Sequence, residues 1–224
     1  MDYPALLFDL DGTLIDSVYQ HVLAWREALL GAGIELAVWR IHRKIGISGG
    51  LFINALFREI GREIDAEQTA KIQALHHEAY SKMSDSVVPL PGAKELLALL
   101  TKIEVPWAIA TSSHRKSCAP LLEKLAIPNT VPVITRDMVA HAKPDPDLFL
   151  AAAKALGADI ENSVVVGDSI WDLLAARRAR AIGVGLLSGG YGQSELEAAG
   201  AYRVYADPAD LLAHLDEVGV RSSD

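Results

Sequence analysis

Short apolar runs punctuate the chain at 5–8, 105–110, 131–135, 163–166 and 182–187, most of them bounded by Pro, Gly, Asp or Ser. Runs of this kind predict strands buried in a parallel sheet. Between them lie apolar residues at helical spacing, at 93–101, 115–125, 147–156 and 170–178. Pro91 suits the start of the first of these helices, although Gly92 weakens it. Strands alternating with helices predict an α/β fold, a doubly wound, Rossmann-like parallel sheet.

Residues 17–84 break that alternation. They contain no strand-like run but four amphipathic helical stretches, 18–30, 37–44, 51–60 and 66–83, punctuated by Gly31-Ala32-Gly33, Ser48-Gly49-Gly50 and Gly61. An all-helical block inserted after the first strand predicts a separate lid. The expected organisation is an α/β core of residues 1–16 and 85–224 with an inserted helical cap domain at 17–84. Its hinges would be Ile15-Asp16-Ser17 and Asp85-Ser86-Val87. There is no internal repeat, and a frayed tail is expected at Arg221-Ser222-Ser223-Asp224.

Composition narrows the function classes. The chain has 224 residues, half of them hydrophobic and 22% charged, which fits a globular protein and excludes a disordered one. The charge balance, 21 − 29 = −8, excludes a whole-protein basic footprint for nucleic acid. No polybasic segment and no apolar stretch of about 18 residues points to a membrane. Cys118 stands alone and forms no internal disulfide, and Met1-Asp2-Tyr3-Pro4 has no positive n-region. A cytoplasmic protein with neither nucleic acid nor membrane as partner is expected. The sequence carries no signal for an oligomeric state.

The chemistry sits at the predicted strand ends. Asp9 and Asp11 are two residues apart where the first strand finishes, so their side chains leave on one face. Ligands of open α/β sheets bind beyond the carboxyl ends of the strands. Two carboxylates there are costly without a cation or proton between them, and Mg²⁺ suits such a pair together with phosphate oxygens. Gly12 allows a sharp turn whose N–H groups face an anion. Thr111-Ser112-Ser113 ends the strand at 105–110, where hydroxyls and following N–H groups suit a phosphate. Lys143, fixed by Pro144, suits charge neutralisation at a phosphorylated carboxylate. Asp168 follows the strand at 163–166 as a second metal carboxylate, with Asp172 one helical turn on. Taken singly, each has an ordinary explanation: an Asp-Gly turn, an N-cap, a solvated lysine, an acidic first turn of a helix. Four such motifs at the ends of separate strands of one sheet are harder to explain that way.

Asp9-Leu10-Asp11-Gly12-Thr13-Leu14, Thr111-Ser112, Lys143-Pro144 and Gly167-Asp168 with Asp172 resemble the four ordered motifs of the haloacid dehalogenase superfamily. The resemblance spans essentially the whole chain, including a helical cap after the first motif, and is similar to the phosphoglycolate phosphatase and β-phosphoglucomutase branch. The stretch from Gly183-Val184-Gly185 through Gly190-Tyr191-Gly192 to Glu197-Ala198-Ala199-Gly200-Ala201 looks like that branch too. The resemblance implies that Asp9 is a nucleophile forming an aspartyl-phosphate, while Asp11 protonates the leaving oxygen and then deprotonates water. It implies Mg²⁺ on Asp9, the backbone carbonyl of Asp11, and Asp168. It places Thr111 and Lys143 on the remaining phosphoryl oxygens, with Gly12 and Ser112 also in phosphate binding and Asp172 as support behind the metal ligands. Dehalogenases attack carbon and keep no acid two residues after the nucleophile, so Asp11 favours phosphoryl chemistry.

The expected function is Mg²⁺-dependent hydrolysis of a small phosphorylated metabolite, phosphoglycolate-like or sugar-phosphate-like. A β-phosphoglucomutase-like phosphomutase is the nearest alternative, and a non-enzymatic binding module is a remote one. The cap loop His42-Arg43-Lys44-Ile45-Gly46-Ile47-Ser48-Gly49-Gly50 offers Arg43 as a substrate contact. Family members that turn over sugar bisphosphates carry an arginine in this loop after the serine. Gly49 stands there instead, which weakens the mutase alternative. His76 and His77, being adjacent, face different ways on a helix and make a poor metal pair. Trp25 is expected in cap packing, Trp107 and Trp171 in the core, and Cys118 as a small buried residue.

Overall fold

A computed structural model of the chain describes residues 3–221. The end of the expected frayed tail, beyond Arg221, lies outside the described residues. The chain divides into two compact units, one built from the segments up to Asp16 and from Pro89 onward, the other from Ser17–Val88.

The first unit begins with β1 (Ala5–Phe8), in which all four side chains are apolar and buried. Burial on both faces is what a central parallel strand requires. After the two-residue strand β2 (Ile15–Asp16) the chain leaves for the helical unit, and it returns at β3 (Val88–Pro89). Then follow α5 (Ala93–Lys102), β4 (Trp107–Ala110), α6 (Arg115–Leu125), β5 (Val133–Ile134), α7 (Asp147–Leu156), β6 (Ser163–Gly167), α8 (Ile170–Ala179), β7 (Ile182–Leu186), α9 (Gln193–Ala199), β8 (Ala201–Tyr205) and α10 (Pro208–Ala213). The six-stranded sheet has the order β5-β4-β1-β6-β7-β8, and every pairing in it is parallel. It is the expected doubly wound, Rossmann-like α/β fold. Winding runs outward from β1 through β4 to β5, then restarts on the other flank at β6. The switch therefore lies at β1, where such sheets form their ligand crevice.

β4 starts at Trp107 rather than at 105 because Pro106 has no N–H for the ladder; its carbonyl instead accepts from Leu6 N at 2.9 Å. One side of the sheet buries Leu7, Ala108, Ala110 and Val165 against Leu148, Phe149, Ala152 and Ala153 of α7. Phe149 alone, fully buried, contributes on the order of 1.5–3 kcal/mol.

The helical unit contains α1 (Val18–Gly31), α2 (Val38–His42), α3 (Gly49–Glu59) and α4 (Ala66–Ser81). It closes its own core on Val22, Trp25, Leu29, Ile41, Phe52, Ile53 and Leu56. Its last helical turn, Ser84–Ser86, is of the 3-10 type, so the unit runs on to Val88 where the expected division stood after Ser84.

Candidate active site

Phe8 of β1 is level with Ile109 of β4 on one side and with Val166 of β6 on the other. That register brings three carboxyl ends together, and Asp9 is the first residue beyond its strand. The Asp9 N–H continues the ladder to the Val166 carbonyl at 2.9 Å, so its position follows from the sheet. Asp168 is the first residue beyond β6, and Asp172 stands in the first turn of α8. One oxygen from each of Asp9, Asp168 and Asp172 lies within 4.8 Å of the others, and all three residues are buried.

A single cation serves this group. Lys143 is fully buried, and its ammonium pairs with Asp9 Oδ1 and, at 2.7 Å, with Asp172 Oδ1. It also sits over the Phe149 ring, 5.2 Å from the centroid, which holds the charge without a further hydrogen bond. The other oxygen of Asp172 accepts from Ser169 N at 3.1 Å and from Ser169 Oγ at 2.5 Å. Both Asp172 oxygens are thus engaged, one by Lys143 and the other by Ser169. Gly167 makes room for this. A Cβ there would fall 2.8 Å from Asp172 Oδ2 and closer still to its carbons, so only glycine lets the helix start approach the strand end.

The loop after Asp9 turns back on itself. Gly12 has φ +85°, a conformation an L side chain resists, and its N–H reaches the Ile15 carbonyl at 2.7 Å. Thr13 Oγ1 then donates to Asp168 Oδ1 at 2.8 Å, joining the first motif to the fourth.

Three carboxylates and one ammonium leave an excess of negative charge in a buried place. Burial pushes the Asp9 carboxyl up to about 7, with Lys143 opposing and Asp172 adding to the rise. Asp168 is raised well above the carboxylate range by burial, then by Asp172 and Asp9. For Lys143, burial pulls downward but Asp172 and Asp9 outweigh it, so the ammonium is held above its ordinary value. A hard divalent cation fits this donor set: the oxygens are carboxylate, they converge, and their surplus charge asks for a proton or a metal.

A profile of haloacid dehalogenase-like hydrolases matches residues 3–180, most of the chain. The chain belongs to this family. Phosphoglycolate phosphatase of Caulobacter vibrioides is 31% identical over 93% of this chain and 86% of its own length. A hydrolase of known structure from Pseudomonas syringae is 54% identical, with a TM-score of 0.94 over 97% of this chain and all of that one. β-Phosphoglucomutase from Clostridium difficile shares the fold at 23% identity, with a TM-score of 0.83 over 96% of each chain. The protein is an enzyme, a phosphoric monoester hydrolase of the phosphoglycolate phosphatase and β-phosphoglucomutase branch.

The family's four motifs fall on the core unit as follows. The first, third and fourth supply the buried group of Asp9, Lys143, Asp168 and Asp172. Asp11 is half-buried, and its Oδ2 accepts from Ser113 Oγ at 2.9 Å, which ties the first motif to the second. Thr111 is buried at the end of β4, and its Oγ1 accepts from Ser113 N at 3.0 Å. Ser112 is half-buried between them. Arg43 belongs to the helical unit, in the residue that ends α2. Thr13, Ser169 and Ser188 were given no role from sequence, yet each hydrogen-bonds a motif residue. The first two sit inside the quoted motifs, and hydroxyls beside strand-end aspartates were the available signal.

Proposed function

We propose that this hydrolase removes phosphate from a small phosphorylated metabolite, with Mg²⁺, through an aspartyl-phosphate on Asp9. The buried triad of Asp9, Asp168 and Asp172 around one lysine supports this reading best. Carboxylates brought this close, with two of them raised, suit an anionic substrate only when a cation joins them. Asp9, Asp168 and the backbone carbonyl of Asp11 would hold Mg²⁺, which when bound offsets the charge of the carboxylates and of the phosphoryl group.

Asp9 attacks phosphorus with a carboxylate oxygen. The bond to the leaving oxygen breaks, and Asp11 delivers its proton to that oxygen. Asp11, now a carboxylate, takes a proton from water, whose oxygen attacks phosphorus and releases phosphate, returning Asp9. Ser113, donating to Asp11 Oδ2, keeps the carboxyl oriented for both transfers. Lys143 shields Asp9 from the incoming anion, and Thr111, Ser112 and Gly12 receive the phosphoryl oxygens. Substrate choice falls to the helical unit as a cap, with Arg43 a contact there. Gly49 opens α3, and a Cβ at this position would stand 3.3 Å from Gln73 Nε2 and 3.5 Å from the Trp25 ring. No arginine for a second phosphate stands at that position, which favours water over a sugar hydroxyl as acceptor.

Phosphate release from a panel of phosphorylated metabolites, with Mg²⁺ and with chelator, tests the reaction. Acid quenching during turnover should trap phosphate on the chain, and Asp9→Asn should trap none. Turnover in full chelator, or trapping unchanged by Asp9→Asn, would refute it. With β-glucose 1-phosphate and catalytic bisphosphate, phosphate should exceed glucose 6-phosphate; the reverse ratio would promote the mutase.

A further inference from the structure

The 3-10 turn Leu187–Gly189 follows β7, the strand beside β6. It therefore emerges next to Asp168. Gly189 is buried, and a Cβ added to it would fall inside the van der Waals shell of Asp168 Oδ2, 2.7 Å from Cγ and 2.8 Å from Cβ. Its φ is outside the left-handed region, so the backbone there would accept an L side chain. The three atoms nearest to such a Cβ all belong to the Asp168 side chain, and each is too close to allow it. The other Asp168 oxygen is already held by Thr13 Oγ1 at 2.8 Å. Ser188 anchors the turn by donating from Oγ to the Gly12 carbonyl at 2.6 Å, across to the loop that carries Asp9 and Asp11.

We propose that Ser188 and Gly189 are positioning residues for the cation site, a wall that fixes which way the Asp168 carboxylate faces. This rests on the Mg²⁺ reading above. Thr13 on one side and Gly189 on the other leave the carboxylate one orientation, and Ser188 sets the height of the wall relative to Asp9. A purely packing role for the glycine would move stability but leave cation affinity alone.

Calorimetric titration of the full chain with Mg²⁺ separates the two. Residues that orient metal ligands cost roughly ten- to a hundredfold in affinity when changed, so Gly189→Ala should weaken Mg²⁺ by at least about tenfold, and Ser188→Ala by less. Gly192→Ala is the control, since a Cβ there meets nothing nearer than 3.4 Å, the flexible end of Glu195. Its affinity should equal the parent's. Parent-like affinity in Gly189→Ala would overturn the proposal. Absence of Mg²⁺ binding by the parent would instead overturn the metal reading.

Melting in chelator then tests the wall without the metal. Gly189→Ala should lower Tm, and most of that loss should vanish in an Asp168→Gly background, where the obstructing side chain, Cβ included, is gone. Equal losses in both backgrounds would overturn the proposal. If Gly189→Ala fails to fold, recovery of a cooperative melt by Asp168→Gly supports the wall, and no recovery counts against it.

Discussion

The two units bury different things. At the carboxyl ends of its sheet the core unit buries Asp9, Lys143, Asp168 and Asp172, each at most 3% exposed. The helical unit buries an aromatic column instead. Trp25 stacks on Phe52 at 4.2 Å and on His76 at 3.9 Å, and His21 stacks on Tyr80 at 4.0 Å. His21 Nδ1 and His76 Nε2 lie 3.3 Å apart. Among the described residues, no charged side chain is buried in that unit; its buried polar groups are hydroxyls, of Ser17, Ser48 and Tyr80, and the Gln20 amide oxygen. One unit is organised for stability by packing; the other accepts the desolvation of four ionisable groups in one place. Burying a charge costs several kcal/mol unless it is paired, so the core unit's arrangement makes sense only through its chemistry.

The sharpest way to break this contrast is Asp9→Asn. Turnover should fall by on the order of a thousandfold or more, as for other nucleophiles, while the melting temperature holds or rises. A variant within tenfold of the parent would remove Asp9 from the chemistry. Next in size, Lys143→Met should destabilise by about 3–5 kcal/mol, because it leaves Asp9 and Asp172 buried without their cation. Adding Asp172→Asn should recover part of that loss in a denaturant titration.

Trp25→Ala should cost about 3 kcal/mol by emptying the aromatic column, with no coupling to Lys143→Met. Additive denaturation free energies would keep the two units distinct, and coupling between them would not.

A smaller effect is expected from pH. The Asp9 carboxyl is raised from 3.8 to about 7, so its neutral form stabilises the folded chain below pH 3.8, and that stabilisation is lost as pH rises through 7. In chelator, the Tm of Asp9→Asn should therefore rise relative to the parent between pH 4 and pH 8, and Mg²⁺ should shrink the gap. A gap that ignores both pH and metal would contradict the buried surplus of charge. Smallest is the thiol. Burial, then Asp11, pushes Cys118 up to about 11 from 9.0. Its thiolate fraction at pH 8 should be roughly a hundredfold lower than in the unfolded chain. Ellman's reagent should then react promptly in urea and slowly in buffer.

Much of this was legible beforehand, and unevenly. β1 and β6 declare themselves as unbroken apolar runs because both faces are buried. β8 was missed because an edge strand with Tyr202 and Arg203 exposed has no such run. α9 and α10, at seven and six residues, are too short for helical spacing to stand out. Trp25 and Cys118 are buried as their apolar neighbours suggested, whereas Trp171 is only half-buried.

At the site, the sequence alone determined which residues stand at strand ends. That is a local property, set by where an apolar run stops and an acid or a glycine follows. The tertiary structure decided which of them meet. Asp9 and Asp11 are neighbours in sequence, yet Asp9 joins residues 143 and 172 while Asp11 turns to Ser113. It also decided that Asp172 pairs with a lysine, and that Gly189 closes over Asp168 from a strand outside the four catalytic motifs. The physical reason is distance. Charges act over a few ångströms, and separations across strands are set by register and by the close approach that glycines at 167 and 189 permit, neither of which is written in any one segment of the chain.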